Sequence, residues 1–330
     1  MFMLKKFFKK IYNRLVINPH YGEIGIGLIG IGGWGRKNAL EIMRSNEYNV
    51  IGIYDVNKAL SEQFGKEFNI TVFNSYESLL NRIDIEAVAI TVPNNYHSEY
   101  IYKACEKHKH VFIEKPLTSD PESCKILGNL CDQKDLILFV GHQIRREPVF
   151  LEIKKILNKN EIGMPIHVQG INTIKRTTPN DWRNDRSACP GGSMEQLGIH
   201  LIDLLIYLFG KPVKKCGWQK NIPYNGKADW AMISMLFNND ISACISTSFS
   251  TINHFELKIF CENGKIIADR SKLMIITNNK RKIYKPSGIS GSRAQFHEFA
   301  QCIRTGARPQ TDWKVAAEVM EISSSIFKNV

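Results

Sequence analysis

The chain has 330 residues, which exceeds one typical hydrophobic core and predicts two domains. Its 43% hydrophobic and 23% charged residues are typical of a globular enzyme and argue against a disordered or fibrous chain. The net charge of +12 favours anionic ligands, but no basic helix with base-reading or stacking side chains follows the first 20 residues, so nucleic-acid binding is not predicted.

Residues 1–20 are predicted to form a basic N-terminal extension. They contain five lysines and arginines and no acid, and their large apolar residues recur at helical spacing, which predicts an amphipathic helix. The segment lacks the long apolar core of a signal peptide, and no later run of about 18 apolar residues predicts a membrane span. Three roles stay open for this helix: peripheral contact with an anionic membrane surface, docking on a partner, and packing on its own chain.

A dinucleotide-binding pattern follows the extension. Ile24 to Ile29 is predicted to be a buried strand, and residues 37–44 have helical character. The glycine loop between them is Gly30-Ile31-Gly32-Gly33-Trp34-Gly35. Gly30 permits the tight turn, Gly32 lets the backbone approach a pyrophosphate, and Gly35 lets the helix pack on the strand.

A second apolar strand, Val50 to Tyr54, ends in Asp55. Asp55 lies about 20 residues beyond the glycine loop, where a carboxylate accepts the ribose hydroxyls of NAD. Val56 and Asn57 follow it, with no adjacent arginine to hold a 2′-phosphate. The sequence therefore predicts NAD as the cofactor in preference to NADP.

Strand and helix patterns alternate from Glu23 to about Gln143, with a helix predicted over residues 121–133. They predict a doubly wound parallel sheet, a Rossmann domain of residues 21–145. From residue 146 the order changes to a helix over residues 148–158, a strand over 166–174 and a long helix from Met194 to Phe209. Strands separated by short turns are then predicted over residues 228–237, 241–250, 255–261 and 266–268. This order predicts a C-terminal α/β domain, residues 146–330, with an open, mainly antiparallel sheet. The whole chain is thus predicted to be an α/β protein.

Lys115 is the first candidate for chemistry. It lies in the segment Glu114-Lys115-Pro116, directly after the apolar run at residues 110–113. Open α/β sheets bind ligands at the carboxyl ends of their parallel strands, which is where this lysine is predicted to lie.

The long helix predicted after Gly191 and Gly192 has a polar stripe beside its apolar one. Gln196, His200 and Asp203 lie at positions i, i+4 and i+7, on one face of a helix. Gly198 within it costs about 1 kcal/mol relative to alanine, so it predicts the close approach of another backbone or a ligand.

Together these segments resemble the Gfo/Idh/MocA oxidoreductases, the family of glucose-fructose oxidoreductase and inositol dehydrogenase. The resemblance covers about residues 23 to 327 and is carried by the glycine loop, Thr91-Val92-Pro93-Asn94 with His97, Glu114-Lys115-Pro116, and Leu197 to Asp203. It implies an NAD(P)-binding Rossmann domain and a C-terminal domain whose sheet supports a homo-oligomer. It also implies a cofactor site that includes Thr91, Pro93, Asn94, His97, Glu114 and Lys115, with Lys115 and His200 meeting the reacting hydroxyl.

The sequence departs from the family pattern at Gln196, because many of these dehydrogenases have an aspartate four residues before the histidine. Gln196 can orient the ring of His200 or hydrogen-bond a sugar, but it cannot raise the basicity of the ring as a carboxylate would. Glu195 points about 100° away on an α-helix and is expected to be a poor substitute. We therefore expect Lys115 to carry more of the proton transfer, or His200 to act with a weaker orienting group.

Arg145 and Arg146 follow the last predicted strand of the first domain, and Trp182 and Arg183 precede the Gly-Gly turn. The resemblance makes Arg145, Trp182 and Arg183 candidates for substrate binding together with His200, since guanidinium groups hold carboxylates, phosphates or hydroxyls. A second role stays open, in which the arginines brace a domain hinge.

Eight cysteines are scattered without a C-x-x-C pair, and most lie in apolar segments. This pattern predicts buried, reduced thiols in a cytoplasmic protein. His108 and His110 flank a lysine before a strand, which is typical of a solvated loop, so no metal site is predicted.

The sequence thus predicts an NAD-dependent dehydrogenase that acts on a secondary hydroxyl of a sugar, cyclitol or nucleotide-sugar. Two alternatives stay open: an NAD-dependent glycosidase that uses transient oxidation, and a dinucleotide-sensing protein on the same fold. The presence of Lys115 and His200 argues against the sensor but does not separate the two enzymes.

Overall fold

A computed structural model describes residues 22–175, 189, 191–222, 227–278 and 280–325. The predicted amphipathic helix of residues 1–20 lies outside the described residues, as do Trp182 and Arg183. None of the described helices is both long enough and apolar enough to cross a membrane.

The first domain contains a parallel sheet of six strands in the order β3-β2-β1-β4-β5-β6. The strands are β1 (Ile24–Ile29), β2 (Tyr48–Tyr54), β3 (Thr71–Val72), β4 (Ala87–Ile90), β5 (His110–Glu114) and β6 (Leu138–Gly141). The strand order reverses between β1 and β4, and open sheets bind ligands outside the carboxyl ends of strands at such a point. The prediction of a doubly wound parallel sheet is confirmed.

Helices follow the first five strands of this sheet. They are α1 (Gly33–Ser45), α2 (Lys58–Phe68), α3 (Tyr76–Leu80), α4 (His97–Glu106) and α5 (Pro121–Gln133). The side chains of Asn57, Ser75 and Asp120 accept backbone N–H groups at the starts of α2, α3 and α5, as expected of N-cap residues. Helix α2 is not predicted from the sequence, because it has few apolar residues and contains Gly65.

The second domain contains a sheet of eight strands in the order β14-β13-β12-β11-β7-β10-β9-β8. The strands are β7 (Pro165–Lys175), β8 (Pro212–Ile222), β9 (Lys227–Phe237), β10 (Ser242–Ser248), β11 (Ser250–Cys261), β12 (Gly264–Ala268), β13 (Leu273–Thr277) and β14 (Arg281–Tyr284). All neighbouring pairs are antiparallel except β7 and β10, which confirms the mainly antiparallel sheet. Strands β8, β13 and β14 were not predicted.

The two faces of this sheet differ. On one face Ile233, Ile245 and Leu257 are buried in a core shared with helix α6 (Pro148–Asn158) and helix α7 (Ile199–Phe209). On the other face a row of cross-strand neighbours is exposed or partly exposed, namely Trp218, Met232, Ser246 and Ile171. The alternating burial of β10 follows from the period of two in a strand, which turns successive side chains to opposite faces.

The helix predicted from Met194 to Phe209 is divided into two parts. Residues Met194–Gly198 form a short π-helix, and α7 continues from Ile199. A Cβ atom on Gly198 would lie 2.1 Å from Sδ of Met194, so the close neighbour is this side chain of the same segment and not the predicted second backbone or ligand. Short π-helices occur frequently at functional sites, because they displace side chains from the regular helical positions.

The last two helices, α8 (Gly291–Thr305) and α9 (Trp313–Ser324), return to the first domain. The ring of Phe296 on α8 packs against Phe112 on β5, with centroids 4.6 Å apart. The ring of Trp313 on α9 covers Gly128 on α5, where a Cβ atom would lie 2.1 Å away. The C-terminal part of the predicted second domain is therefore packed into the first.

Candidate active site

A cleft of about 1200 Å³ lies between the two domains. We call its lining residues up to Lys115 the first-domain wall and its lining residues from Asn172 to Arg270 the second-domain wall. The first-domain wall includes nearly all the predicted cofactor residues, namely Gly30, Gly32, Gly33, Trp34, Gly35, Asp55, Thr91, Pro93, Asn94, His97, Glu114 and Lys115. The second-domain wall includes both predicted catalytic residues of the long helix, Gln196 and His200.

The glycine loop has the geometry that a dinucleotide requires. Gly30 has a φ of +81°, and a Cβ atom there would lie 2.2 Å from the carbonyl oxygen of Thr91. A Cβ atom on Gly35 would lie 1.9 Å from the carbonyl oxygen of Gly30. In contrast, Gly32 and Gly33 have no atom within 4 Å of a Cβ position, because they face the open cleft. Helix α1 starts there without a side-chain cap, so its first N–H groups are available to a phosphate.

Asp55 accepts hydrogen bonds from two backbone N–H groups, one of which belongs to the glycine loop. The amide of Ile31 donates to its Oδ2 at 2.6 Å, and the amide of Asn57 donates to its Oδ1 at 2.8 Å. Ile31 itself, which the sequence placed in the cofactor site, contributes this amide and does not line the cleft.

The carboxylate of Glu114 connects the end of β5 to helix α1. Its Oε1 accepts from Nε1 of Trp34 and from Nδ2 of Asn38, both at 2.8 Å. Burial raises the pKa of Glu114, while these donors and Lys115 oppose the increase. Asn38 was not identified from the sequence, because nothing local marks a helix position as the partner of a strand end.

His97 is buried and lies between two loops of the first-domain wall. Its Nδ1 is 2.7 Å from the carbonyl oxygen of Pro116, and its Nε2 is 3.0 Å from that of Val92. Burial lowers the pKa of His97. The ring thus links the end of β4 to the segment that carries Lys115.

Three side chains converge on the π-helix of residues 194–198. Nζ of Lys115 donates to the carbonyl oxygen of Gln196 at 3.0 Å, and Nδ2 of Asn172 donates to that of Leu197 at 3.0 Å. Nδ2 of Asn94 donates to Oε1 of Glu195 at 2.8 Å. Lysine and histidine from different domains are thereby brought to one cleft.

Glu195 is buried and does not take the place of the missing aspartate. Its Oε2 accepts from the backbone amide of Gly191 at 2.8 Å, and its Oε1 accepts from Asn94. Burial raises its pKa, while both donors oppose the increase. Glu195 therefore links the π-helix to the first-domain wall, in agreement with the expectation that it is a poor orienting group for His200.

His200 and Gln196 carry buried polar atoms that lack partners. Nδ1 of His200 and Nε2 of Gln196 make no hydrogen bond to any described residue. Burial lowers the pKa of His200 well below its ordinary value, and the positive charge of Lys115 lowers it further. His200 is therefore neutral near pH 7 and can accept a proton.

Asp203 belongs to a different network from Gln196 and His200, although the sequence placed all three on one stripe. Its carboxylate binds the buried guanidinium of Arg145 in a bidentate pair, with Nε to Oδ2 at 2.9 Å and Nη2 to Oδ1 at 2.6 Å. Nδ1 of His142 lies 3.7 Å from Asp203 Oδ1. Burial lowers the pKa of His142 to about 4.

Arg145 and Arg146 have the bracing role that the sequence left open. Arg145 also donates to the carbonyl oxygen of Gln310, and it does not line the cleft. Arg146 donates to Glu298 at 2.7 Å and to Thr311 at 3.1 Å. The prediction of Arg145 as a substrate residue is therefore corrected, because its guanidinium is committed to buried structural partners.

Several lining residues were not singled out by the sequence analysis. They are Gln143 after β6, Asn172 and Lys175 on β7, Asn253 and His254 on β11, and Arg270 in the turn between β12 and β13. Lys175 is recognisable from the sequence only as the end of a strand, and Arg270 only as part of a turn. No group of three metal-binding side chains occurs in the described part of the chain, and all eight cysteines are free thiols.

Comparison with known proteins agrees with this architecture. Residues 24–142 match the family model described as an oxidoreductase family with an NAD-binding Rossmann fold, and residues 150–267 match the GFO/IDH/MocA C-terminal domain. The chain is 31% identical over 189 residues to glucose-6-phosphate 3-dehydrogenase of Bacillus subtilis, a match that covers 56% of this chain and 53% of that protein.

Two further relatives are similar over nearly the whole chain. Scyllo-inositol 2-dehydrogenase (NAD(+)) of Bacillus subtilis is 24% identical over 93% of this chain and 95% of its own. The solved structure of UDP-N-acetylglucosamine 3-dehydrogenase GnnA from Acidithiobacillus ferrooxidans is 22% identical, with a TM-score of 0.81 over 94% of this chain and 98% of its own. The similarity to this solved structure shows that the two chains share a fold.

Proposed function

Because the chain belongs to the Gfo/Idh/MocA oxidoreductase family, we propose that it is an NAD-dependent dehydrogenase that oxidises a secondary hydroxyl of a sugar, cyclitol or nucleotide-sugar. The observation that carries the proposal is the cleft in which Lys115 and the neutral, buried His200 face the same space as the glycine loop. The relatives named for sugar and inositol oxidation support this substrate class.

Lys115 and His200 would share the proton of the reacting hydroxyl. Neutral His200 can accept that proton, and Nζ of Lys115, positioned by the carbonyl oxygen of Gln196, can hydrogen-bond the substrate oxygen. Bound NAD supplies the redox chemistry, since nicotinamide accepts a hydride from an alcohol carbon. Nε2 of Gln196, which has no partner among the described residues, would donate a hydrogen bond to a substrate hydroxyl or to His200.

NAD is proposed in preference to NADP because of Asp55. Its carboxylate lies at the end of β2, fixed by Ile31 and Asn57 beside the open glycine loop. A ribose 2′-hydroxyl can donate to this carboxylate, whereas a 2′-phosphate would be repelled by it.

The test is to incubate the protein with NAD and a panel of sugars, cyclitols and nucleotide-sugars, and to follow NADH formation by absorbance. We expect NADH to accumulate in proportion to the oxidised product. A glycosidase that uses transient oxidation would release a glycoside without net NADH, and a sensor would bind NAD without turning over any substrate. Either result with the full panel would contradict the proposal.

We also propose that the exposed face of the second sheet supports a homo-oligomer. Trp218 is 49% exposed on this face and neighbours Met232 across β8 and β9. Exposed apolar rows of this kind mark protein interfaces. Sedimentation analysis should give more than one copy per particle, and Trp218→Arg should shift the particle toward a single copy. A single-copy native protein would contradict the proposal.

A further inference from the structure

The exposed part of the second-domain wall is basic. Its exposed charged and titratable residues are Lys175, His254 and Arg270. No acidic residue occurs among the described residues of this wall. Only two acids line the cleft within the described residues, Asp55 and Glu114, and both belong to the first-domain wall.

Those two acids lie on the opposite wall, and neither forms an ion pair with Lys175, His254 or Arg270 among the described residues. Asp55 accepts the amides of Ile31 and Asn57, and Glu114 accepts from Trp34 and Asn38. The positive charge of the second-domain wall is therefore available to a ligand in the cleft.

Arg270 forms one ion pair with an acid, and this pair occupies only part of its guanidinium group. Its Nη2 donates to Oε1 of Glu147 at 3.0 Å, while Oε2 of Glu147 accepts the backbone amide of Gly291. The side chain of Arg270 is 43% exposed, and its Nε and Nη1 have no partner among the described residues. Arg270 and His200 line the same cleft, and the positive charge of Arg270 contributes to the lowered pKa of His200.

Lys175 and His254 come from neighbouring antiparallel strands. The backbone amide of Lys175 donates to Oδ1 of Asn253 at 3.0 Å, and His254 is paired with Thr173. His254 is 43% exposed, and its nearest acid, Glu256, is 4.0 Å away and already bound to Lys258 at 2.8 Å. The two strands thus place a lysine and a histidine on the same wall as Arg270.

We propose that the second-domain wall binds a phosphoryl group of the substrate through Arg270 and Lys175, with His254 beside them. A phosphoryl group offers several acceptor oxygens and a charge near −2, which suits cations that approach from two strands and a turn. The pyrophosphate of the cofactor has its own site at the glycine loop, on the first-domain wall. The inference deepens the proposed dehydrogenase function and rests on it, because the phosphoryl group belongs to the molecule whose hydroxyl reaches Lys115 and His200.

The experiment measures binding rather than turnover. Titration calorimetry on the full-length protein saturated with NADH would compare glucose, glucose 6-phosphate and UDP-glucose. We expect at least one phosphorylated ligand to bind about tenfold or more tightly than glucose. Preference for glucose 6-phosphate would assign a sugar phosphate, and preference for UDP-glucose would assign a nucleoside diphosphate sugar.

Two variants and one control test whether the preference for a phosphorylated ligand depends on the second-domain wall. Arg270→Gln and Lys175→Gln should each reduce the preference for the phosphorylated ligand by about tenfold, since each removes a charge-assisted hydrogen bond. Lys214→Gln removes the same charge from an exposed position on the edge strand β8 and should leave the preference unchanged. Glutamine at position 270 can still donate to Glu147, and thermal unfolding would verify that the variants fold.

Two outcomes would overturn the inference. Glucose could bind as tightly as both phosphorylated ligands, or the preference could survive in both variants. A weaker affinity for NADH in the variants, with the substrate preference unchanged, would instead assign these cations to the cofactor. None of these results would contradict the proposed dehydrogenase activity, which is tested separately by NADH formation with the substrate panel.

Discussion

The two walls of the cleft differ in how their buried polar groups are satisfied. On the first-domain wall, Asp55, His97 and Glu114 all contact partners within their own domain. On the second-domain wall, Nε2 of Gln196 and Nδ1 of His200 have no partner among the described residues. A buried polar atom without a hydrogen bond costs about 1–3 kcal/mol, so Gln196 and His200 carry a cost that Asp55, His97 and Glu114 do not.

This difference indicates that the walls have different tasks. A wall whose polar groups are already hydrogen-bonded keeps a cofactor site fixed before the cofactor binds, which lowers the cost of ordering it. A substrate can supply hydrogen-bond partners for Gln196 and His200 on the second-domain wall. The groups that bind the substrate are then the same groups that take part in the chemistry. Replacing residues on each wall should therefore have separable effects.

The largest effect is expected for Lys115, which reaches from the first-domain wall to the π-helix. Lys115→Ala should lower kcat by about 10²- to 10⁴-fold, because a positioned acid-base group contributes on this scale, with a smaller change in the affinity for NAD. Steady-state kinetics and NADH titration measure the two quantities. Lys214→Ala is the control for loss of a lysine, and near-normal turnover of Lys115→Ala would remove Lys115 from the mechanism.

Loss of stability is expected to be largest for Arg145, which lies outside the cleft. Arg145→Ala leaves Asp203 as a buried, unpaired carboxylate and should lower the free energy of unfolding by about 3–5 kcal/mol. The matched control is Arg82→Ala, which breaks an exposed pair with Asp84 and should cost less than about 1 kcal/mol. Urea denaturation compares the two, and equal costs would contradict the bracing role.

A moderate effect on cofactor choice is expected for Asp55. Asp55→Asn keeps the shape of the side chain but removes its charge, so it should weaken NAD binding by about tenfold and reduce the discrimination against NADP. Fluorescence titration with both reduced cofactors measures this ratio. Should the native protein bind NADPH much more tightly than NADH, the role assigned to Asp55 is wrong.

The smallest effect is expected at Gln196, where the pH profile changes more than the rate. The pKa of His200 is lowered, so the neutral ring is present near pH 7 and is lost only as the pH falls through that low value. Gln196→Asp adds a negative charge that raises the pKa of the imidazole, so the acid limb of kcat/KM should move to higher pH. An unchanged profile would show that the two side chains do not interact, or that His200 does not titrate in catalysis.

Much of the fold followed from local patterns. The predicted bounds of α5 and α6 agree with the structure, because each helix starts with a proline in its first turn and α5 is capped by Asp120. The family and its oxidoreductase class are confirmed, and so are both kinds of sheet. Helix α2 and strands β8, β13 and β14 were missed, since they are short, polar or at the edges of the sheets.

The sequence by itself determined the first-domain wall, because the glycine loop, Asp55 and Lys115 each lie at a fixed distance from a strand end. Tertiary structure decided which groups these residues contact. The bond from Lys115 to Gln196 spans 81 positions, and the pair of Arg145 with Asp203 spans 58. A regular helix predicts Gln196, His200 and Asp203 on one stripe, but packing pairs Asp203 with Arg145. Strand pairing brought Lys175 and His254 to the same wall as Arg270. Such contacts depend on packing between distant segments, which have no common period along the chain.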